Sequence, residues 1–152
     1  MFKSRPVVSE VELSREYRFM YENFVIATQR ETYLLLERIG NEVRAIKFDS
    51  SNVRYGGPND EARSGHPLAK HGLGSYGLFE VSNSPWVQEA ITANRVHPKH
   101  SDSMFSNQRH FIACFKDVML EVRCESMEEV ALSSSQVHDL ISLQLACLDE
   151  PA

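Results

Sequence analysis

Along the first third of the chain the apolar residues come in short runs rather than at a helical period. Phe24-Val-Ile-Ala-Thr28, Tyr33-Leu-Leu-Leu-Glu37 and Val43-Arg-Ala-Ile-Lys-Phe48 are rich in β-branched and aromatic residues and are separated by polar connectors. That pattern predicts three adjacent strands, an N-terminal β-meander. Between the last two, Gly40-Asn41 suits a two-residue hairpin turn, which would set Glu37 opposite Arg44. Ahead of the meander, Tyr17, Met20, Tyr21 and Phe24 also fall at helical spacing, so residues 14–24 read equally as helix or strand.

Further along, Tyr76-Gly-Leu-Phe-Glu-Val81 predicts a strand, and Ser84-Pro85 then supplies a cap and a first helical residue for a helix reaching about Arg95. The clearest element is a hairpin of Arg109 to Phe115 and Val118 to Cys124, joined at Lys116-Asp117. Strand alternation places Phe111, Ala113, Phe115, Val118, Leu120 and Val122 on a core face. The opposite face carries His110, Ile112, Cys114, Met119, Glu121 and Arg123, with ionisable groups at one end, and is the candidate lining of a pocket. SSSQVHDLISLQLACL then offers a serine cap and apolar Val137, Leu140, Ile141 and Leu148 at helical spacing, an amphipathic helix that packs or pairs. The expected class is α+β: an antiparallel sheet, made of the meander and the C-terminal hairpin, with two or three packed helices over residues 1–152 as one domain.

Two stretches lack either period. Residues 55–75, YGGPNDEARSGHPLAKHGLGS, are rich in glycine and polar side chains, and HPKHSDSMFSNQ reads the same way. Long connections inside a small domain are often functional, so loops 55–75 and 96–108 are the expected recognition elements.

Composition narrows the function classes. The 152 residues are 42% apolar and 24% charged, which suits a folded domain. A net charge of −5 with both signs mixed along the chain supplies no basic field for a phosphate backbone, so nucleic acid is not an expected partner. No window approaches a membrane span, and MFKSRPVVSEVELS has no apolar run long enough for a signal peptide. Cytoplasm is the expected location. Cys114, Cys124 and Cys147 are odd in number and set among apolar residues, so all three read as buried thiols rather than a disulfide framework.

Histidine is the main chemical signal, since His66, His71, His97, His100 and His110 fall between positions 66 and 110. His97 and His100 have the spacing at which two imidazoles can meet one ion, and His110 with Asp102 or Glu121 would complete a set for zinc. No HExxH or paired CxxC supports this, and no cofactor is otherwise expected. The plainer reading of His66-Pro67 and His97-Pro98 is that each ring ties down a turn. His110 with Glu121 is the leading acid–base pair, the carboxylate orienting the imidazole. Its plainer reading is a satisfied sheet pair with Glu121 or Arg123. Around Tyr55-Gly56-Gly57-Pro58-Asn59-Asp60-Glu61, backbone N–H groups with Arg54 and Arg63 form a candidate ligand site. His66 and Trp86 are added to it, while Asn59 and Asp60 also suit turn capping and Trp86 a core or interface plug. No phosphate-loop or dinucleotide motif and no GxSxG is present.

PNDEARSGHPL, then GLGSYGLFEVSNSPW, then RHFIACFKDVMLEV follow one another over residues 54–125. In this order they resemble a set of small bacterial proteins with no assigned activity. The resemblance implies a bacterial, cytosolic setting and carries no mechanism. The expected function is a small non-enzymatic binding module, regulatory or immunity-like, that recognises a protein or small ligand and is compatible with a homodimer. The alternative is a small hydrolase or transferase using His110 and Glu121 with His97, His100 or Asp60.

Overall fold

A computed structural model describes residues 4–21, 23–50 and 52–149. The fold is α+β, with two antiparallel sheets and two α-helices. The strands are β1 (Val7–Glu10), β2 (Phe24–Ala27), β3 (Thr32–Ile39), β4 (Glu42–Phe48), β5 (Asn52–Gly56), β6 (Gly77–Ser82), β7 (Arg109–Cys114), β8 (Met119–Cys124) and β9 (Met127–Ser133). The helices are α1 (Pro85–Asn94) and α2 (Ser134–Leu148). One sheet has the order β1-β6-β7-β8-β5, the other β2-β3-β4-β9.

The meander is present as β2, β3 and β4. Gly40 takes φ 59° at the β3–β4 turn, where glycine adopts the left-handed region without a Cβ clash. Glu37 does lie opposite Arg44 in the register. Their ion pairs run elsewhere, Glu37 to Arg15 at 3.2 Å and Arg44 to the neighbouring Glu42 at 3.1 Å. The hairpin β7–β8 also has its expected register, with Phe111 opposite Val122 and Ala113 opposite Leu120.

The two sheets pack face to face. Phe111, Phe115, Leu120, Val122 and Leu78 from the five-stranded sheet meet Leu34, Ile46 and Phe48 from the four-stranded one, all almost fully buried. Each such side chain contributes about 1.5–3 kcal/mol by leaving water. The opposite face of the five-stranded sheet is not an open pocket wall. Ile112, Cys114 and Met119 on it join Val8, Phe79, Val81, Leu68 and Leu73 in a second buried cluster. Residues 57–76 and α1 therefore form a third layer.

Several expectations are corrected. Residues 14–21 are neither helix nor strand, although Tyr17 and Phe19 are buried against the main core. Phe19 sits at φ 47°, which no regular element accommodates. Tyr55 and Gly56 belong to β5 rather than to a loop, and the rest of 55–75 is ordered by 3-10 helices at Asp60–Gly65 and Ala69–His71. Residues 96–108 likewise hold a 3-10 turn at Asp102–Phe105. Cys147 is exposed, unlike Cys114 and Cys124. Burial pushes both of the latter thiols up to about 12, which starves them of reactive thiolate. In the native protein a maleimide is expected to label Cys147 alone within minutes at neutral pH. Cys114 and Cys124 are expected to react only after denaturation, which intact-mass spectrometry distinguishes.

Among the described residues no helix is long and apolar enough to cross a membrane.

Candidate functional site

The third layer meets the sheet at a chain of polar side chains around His110. β7 places His110 directly opposite Arg123 and two positions along from the Ile112–Glu121 pair, so both expected partners are on its face and within reach across the β7–β8 ladder. The ring takes Glu121: Nε2 lies 2.8 Å from its Oε1. Nδ1 lies 2.7 Å from Ser84 Oγ. Ser84 is the N-cap of α1, and its Oγ also accepts the Val87 N–H at 3.2 Å. With the ring proton on Nε2, His110 donates to Glu121 and accepts the Ser84 hydroxyl proton, so each group in the chain is satisfied.

His66 closes the chain from the other side. Its Nδ1 accepts the Leu68 N–H at 3.0 Å, leaving Nε2 to face Glu121 Oε2 at 3.5 Å. His97 does the same to its own turn, Nδ1 accepting the Lys99 N–H at 3.1 Å. The turn-tying reading of the two His-Pro pairs therefore describes both.

His110 is 2% exposed and Ser84 5%. Burial raises the pKa of the Glu121 carboxyl, but the hydrogen bond and charge of His110, with those of His66, outweigh it and leave the group below its usual value. Trp86 stands edge-on to His110, with ring centroids 5.1 Å apart. Arg54 lies over the indole at 4.2 Å from its centroid and Arg123 at 5.5 Å. Arg54 also pairs with Glu89 at 3.3 Å.

A second polar cluster lies at the other end of β7, around the turn to β8. Asp60 accepts from Tyr76 Oη and from Lys116 Nζ, the latter at 3.2 Å, and its own N–H donates to Lys116 O at 2.7 Å. Tyr76 and Lys116 hold the Asp60 carboxyl below the usual range. Arg63 is 3% exposed and donates to the carbonyls of Phe115 and Pro58 and to Ser75 Oγ. Asn59 caps the first 3-10 helix by accepting the Ala62 N–H, the turn-shaping role expected of it. At the far end of this segment Gly72 takes φ 111°, where a Cβ would fall 2.7 Å from Val8 O. Only glycine lets the segment lie this close to β1.

Next to the Asp60 cluster three tyrosines are exposed. Tyr55 donates to Asn23 Oδ1 at 2.8 Å, and Asn23 in turn donates to Tyr21 O at 3.1 Å. Lys116 N–H donates to Met20 O at 3.0 Å. These bonds, with that of Tyr76 to Asp60, bring Tyr21 (60% exposed), Tyr55 (54%) and Tyr76 (43%) to one end of the sandwich.

The expected residues thus divide. His110 and Glu121 are joined, with His66 and Trp86 against them, and Arg54 reaches the same place through Trp86. Tyr55, Asn59, Asp60 and Arg63 belong to the other end. Tyr55 and Arg54 point to opposite faces because they are successive residues of one strand. His97, His100 and His110 do not converge: His100 uses Nδ1 with Asn94 at 2.8 Å and Nε2 with Asp102 at 2.6 Å, while both His110 nitrogens are engaged as above. Among the described residues no group of three or more His, Cys, Asp or Glu side chains is placed to hold a metal ion. Loop 96–108 enters β7 at Arg109, whereas the 3-10 helix at Asp60–Gly65 is bonded to Lys116 beyond its far end. The Asp60 end of the first expected loop and the entry of the second therefore sit at opposite ends of β7.

Ser84 was readable only as a helix cap, since no serine motif marks it; its pairing with His110 spans 26 positions. Tyr21 and Tyr76 carried no local signal beyond their aromatic character. Ser84 also lines a cleft of about 390 Å³ between α1 and the ends of β6 and β7, with Val87, Ile91, Phe105, Glu80 and Arg109 among its walls. The chain matches no family model, no curated protein and no solved structure.

Proposed function

We propose that this protein is a cytosolic binding module that recognises a partner protein through the aromatic end of its sandwich. The observation that carries this reading is the cluster of Tyr21, Tyr55 and Tyr76, each 43–60% exposed, at one end of the sandwich. Tyrosine offers a large apolar face with a polar tip, and aromatic residues dominate the energetics of protein interfaces. Lys116 and Asp60 beside them supply a polar rim. Asp60 comes from the first of the two expected recognition loops, 55–75, and Tyr76 is the residue that follows it. The test is a photo-crosslinking amino acid in place of Tyr21. It is expected to trap a discrete partner, and Tyr55→Ala combined with Tyr76→Ala is expected to lower capture at least about tenfold at unchanged thermal stability. Capture that is indifferent to both substitutions, or no capture, overturns the reading.

A second reading rests on a different observation, the order Ser84, His110, Glu121 with Ser84 at the edge of a cleft. A hydroxyl within hydrogen-bond reach of an imidazole that a carboxylate orients is the arrangement of an activated nucleophile. In that role Ser84 Oγ attacks a carbonyl carbon, His110 Nδ1 takes its proton and returns it to the leaving alcohol or amine, and water then releases the acyl group. Against it, Ser84 Oγ is already held by the Val87 N–H. A fluorophosphonate probe decides: a covalent adduct on Ser84 that His110→Gln abolishes supports hydrolysis, and an unmodified Ser84 leaves the chain as a polar lock between layers.

A further inference from the structure

We infer that the free face of α2 is a self-association surface, occupied by the same face of a second copy of this chain. The helix is well started: Ser133 and Gln136 form a reciprocal capping box, and the Ser134 N–H donates to Asn41 O at 3.1 Å, pinning the first turn to the β3–β4 turn. Val137 and Leu140 are half-buried there. From position 141 to the end of the helix every residue is exposed, including Ile141 (46%), Leu143 (61%), Leu145 (57%) and Leu148 (80%). No residue of α2 is buried.

An amphipathic helix forms in water chiefly because its apolar stripe is buried against something. Here the stripe continues past the sheet that holds the first turns. Ile141, Leu145 and Leu148 follow one another at spacings of four and three, and Leu140, Leu143 and Cys147 at three and four. These are the spacings of side chains that interleave between two parallel or antiparallel helices.

Charge argues for a second copy rather than a different partner. The whole chain carries −5, so two copies repel over most of their surface. α2 is the exception, since Asp139 is its one formally charged side chain and it lacks Lys, Arg and Glu altogether. It offers nothing to select an oppositely charged protein, and it is a surface on which two acidic chains can meet without juxtaposing like charges. A two-fold pairing also needs only one self-complementary patch. The size suits a weak, reversible dimer: the free stretch from Ile141 to Leu148 is about 12 Å long and about 10 Å across, so against its twin it covers on the order of 500 Å² in total, in the range of transient rather than permanent association.

Sedimentation equilibrium of the whole chain under reducing conditions tests this, the reductant excluding a disulfide through exposed Cys147. Between about 1 and about 200 μM, the range in which an interface this small dissociates, the mean mass is expected to rise from one chain towards two. Leu145→Glu is expected to raise the dissociation constant at least about tenfold. Because Leu145 is exposed in the single chain, thermal unfolding of the diluted variant is expected to match that of the parent. If it does not, Leu148→Lys, at the most exposed position, takes its place. A wild-type mass that stays at one chain throughout, or a dimer that survives both substitutions, overturns the inference.

Discussion

His110→Ala is expected to destabilise the protein by about 3–5 kcal/mol, the cost of breaking a buried hydrogen-bonded pair and leaving a buried carboxylate without its partner. The imidazole joins the five-stranded sheet to the layer above it, through Glu121 on β8, the Ser84 cap of α1 and, edge-on, Trp86. Removing it leaves Glu121 facing only His66 at 3.5 Å and opens a void beneath the indole. Urea unfolding followed by Trp86 fluorescence measures the loss, and a change under about 1 kcal/mol would show that the polar chain is incidental to the packing.

The same variant has a pH signature. In the wild type the Glu121 pKa is depressed below the ordinary 4.5, because the contributions of His110 and His66 together exceed that of burial. A carboxyl with a depressed folded pKa adds stability that is fully present above its unfolded pKa and disappears as pH falls through the folded one. Wild-type stability is therefore expected to fall on acidification below about 4.5. In His110→Ala the largest opposing contribution is gone, so burial raises the carboxyl instead and its neutral form suits the site. The difference between the two proteins is expected to shrink as pH is lowered. A gap that stays constant from neutrality to pH about 4 would place the effect of His110 in packing alone.

How much of this could be read along the chain depends on the range of the interaction. The β7–β8 hairpin was legible because alternation and a four-residue turn fix it locally, and the His110–Glu121 pair followed from its register. The α1 start was legible because Ser84-Pro85 is a local signal. β1 and β9 were not. VVSE is too short to show alternation, and it is a strand because β6 pairs with it some 70 residues later; MEEVALS pairs with β4 from 79 to 91 residues away. The third layer was hidden for the same reason. Residues 57–76 have no period, and what orders them is Arg63 on the Phe115 carbonyl, Gly72 against β1 and Leu68 and Leu73 in a cluster built by other strands. PNDE, GHPL, NSPW and the His110 hairpin all supply residues to this layer or to the sheet face beneath it, but nothing in their local pattern indicates that this face is covered.

Arg63 provides the sharpest test of what that cover does. Among the described residues its guanidinium is buried without a carboxylate partner, donating instead to the Phe115 and Pro58 carbonyls and Ser75 Oγ, and its Nε has no partner. A cation so placed is retained at a desolvation cost, which three neutral acceptors only partly offset. Arg63→Met keeps most of the volume and removes the charge, so burial improves while two backbone carbonyls lose a donor at about 1–3 kcal/mol each. The expected net is a loss of roughly 2–4 kcal/mol, seen as a fall in the unfolding midpoint. It should come with faster proteolysis confined to residues 57–76, because Asp60 and Tyr76 are held at that end by the same segment. If Arg63→Met is as stable as the parent and no more readily cleaved, then Leu68, Leu73 and the close approach at Gly72 suffice to hold the layer down. The aromatic end would then owe its shape to Asn23 and Lys116, and the variant would still trap its partner through position 21.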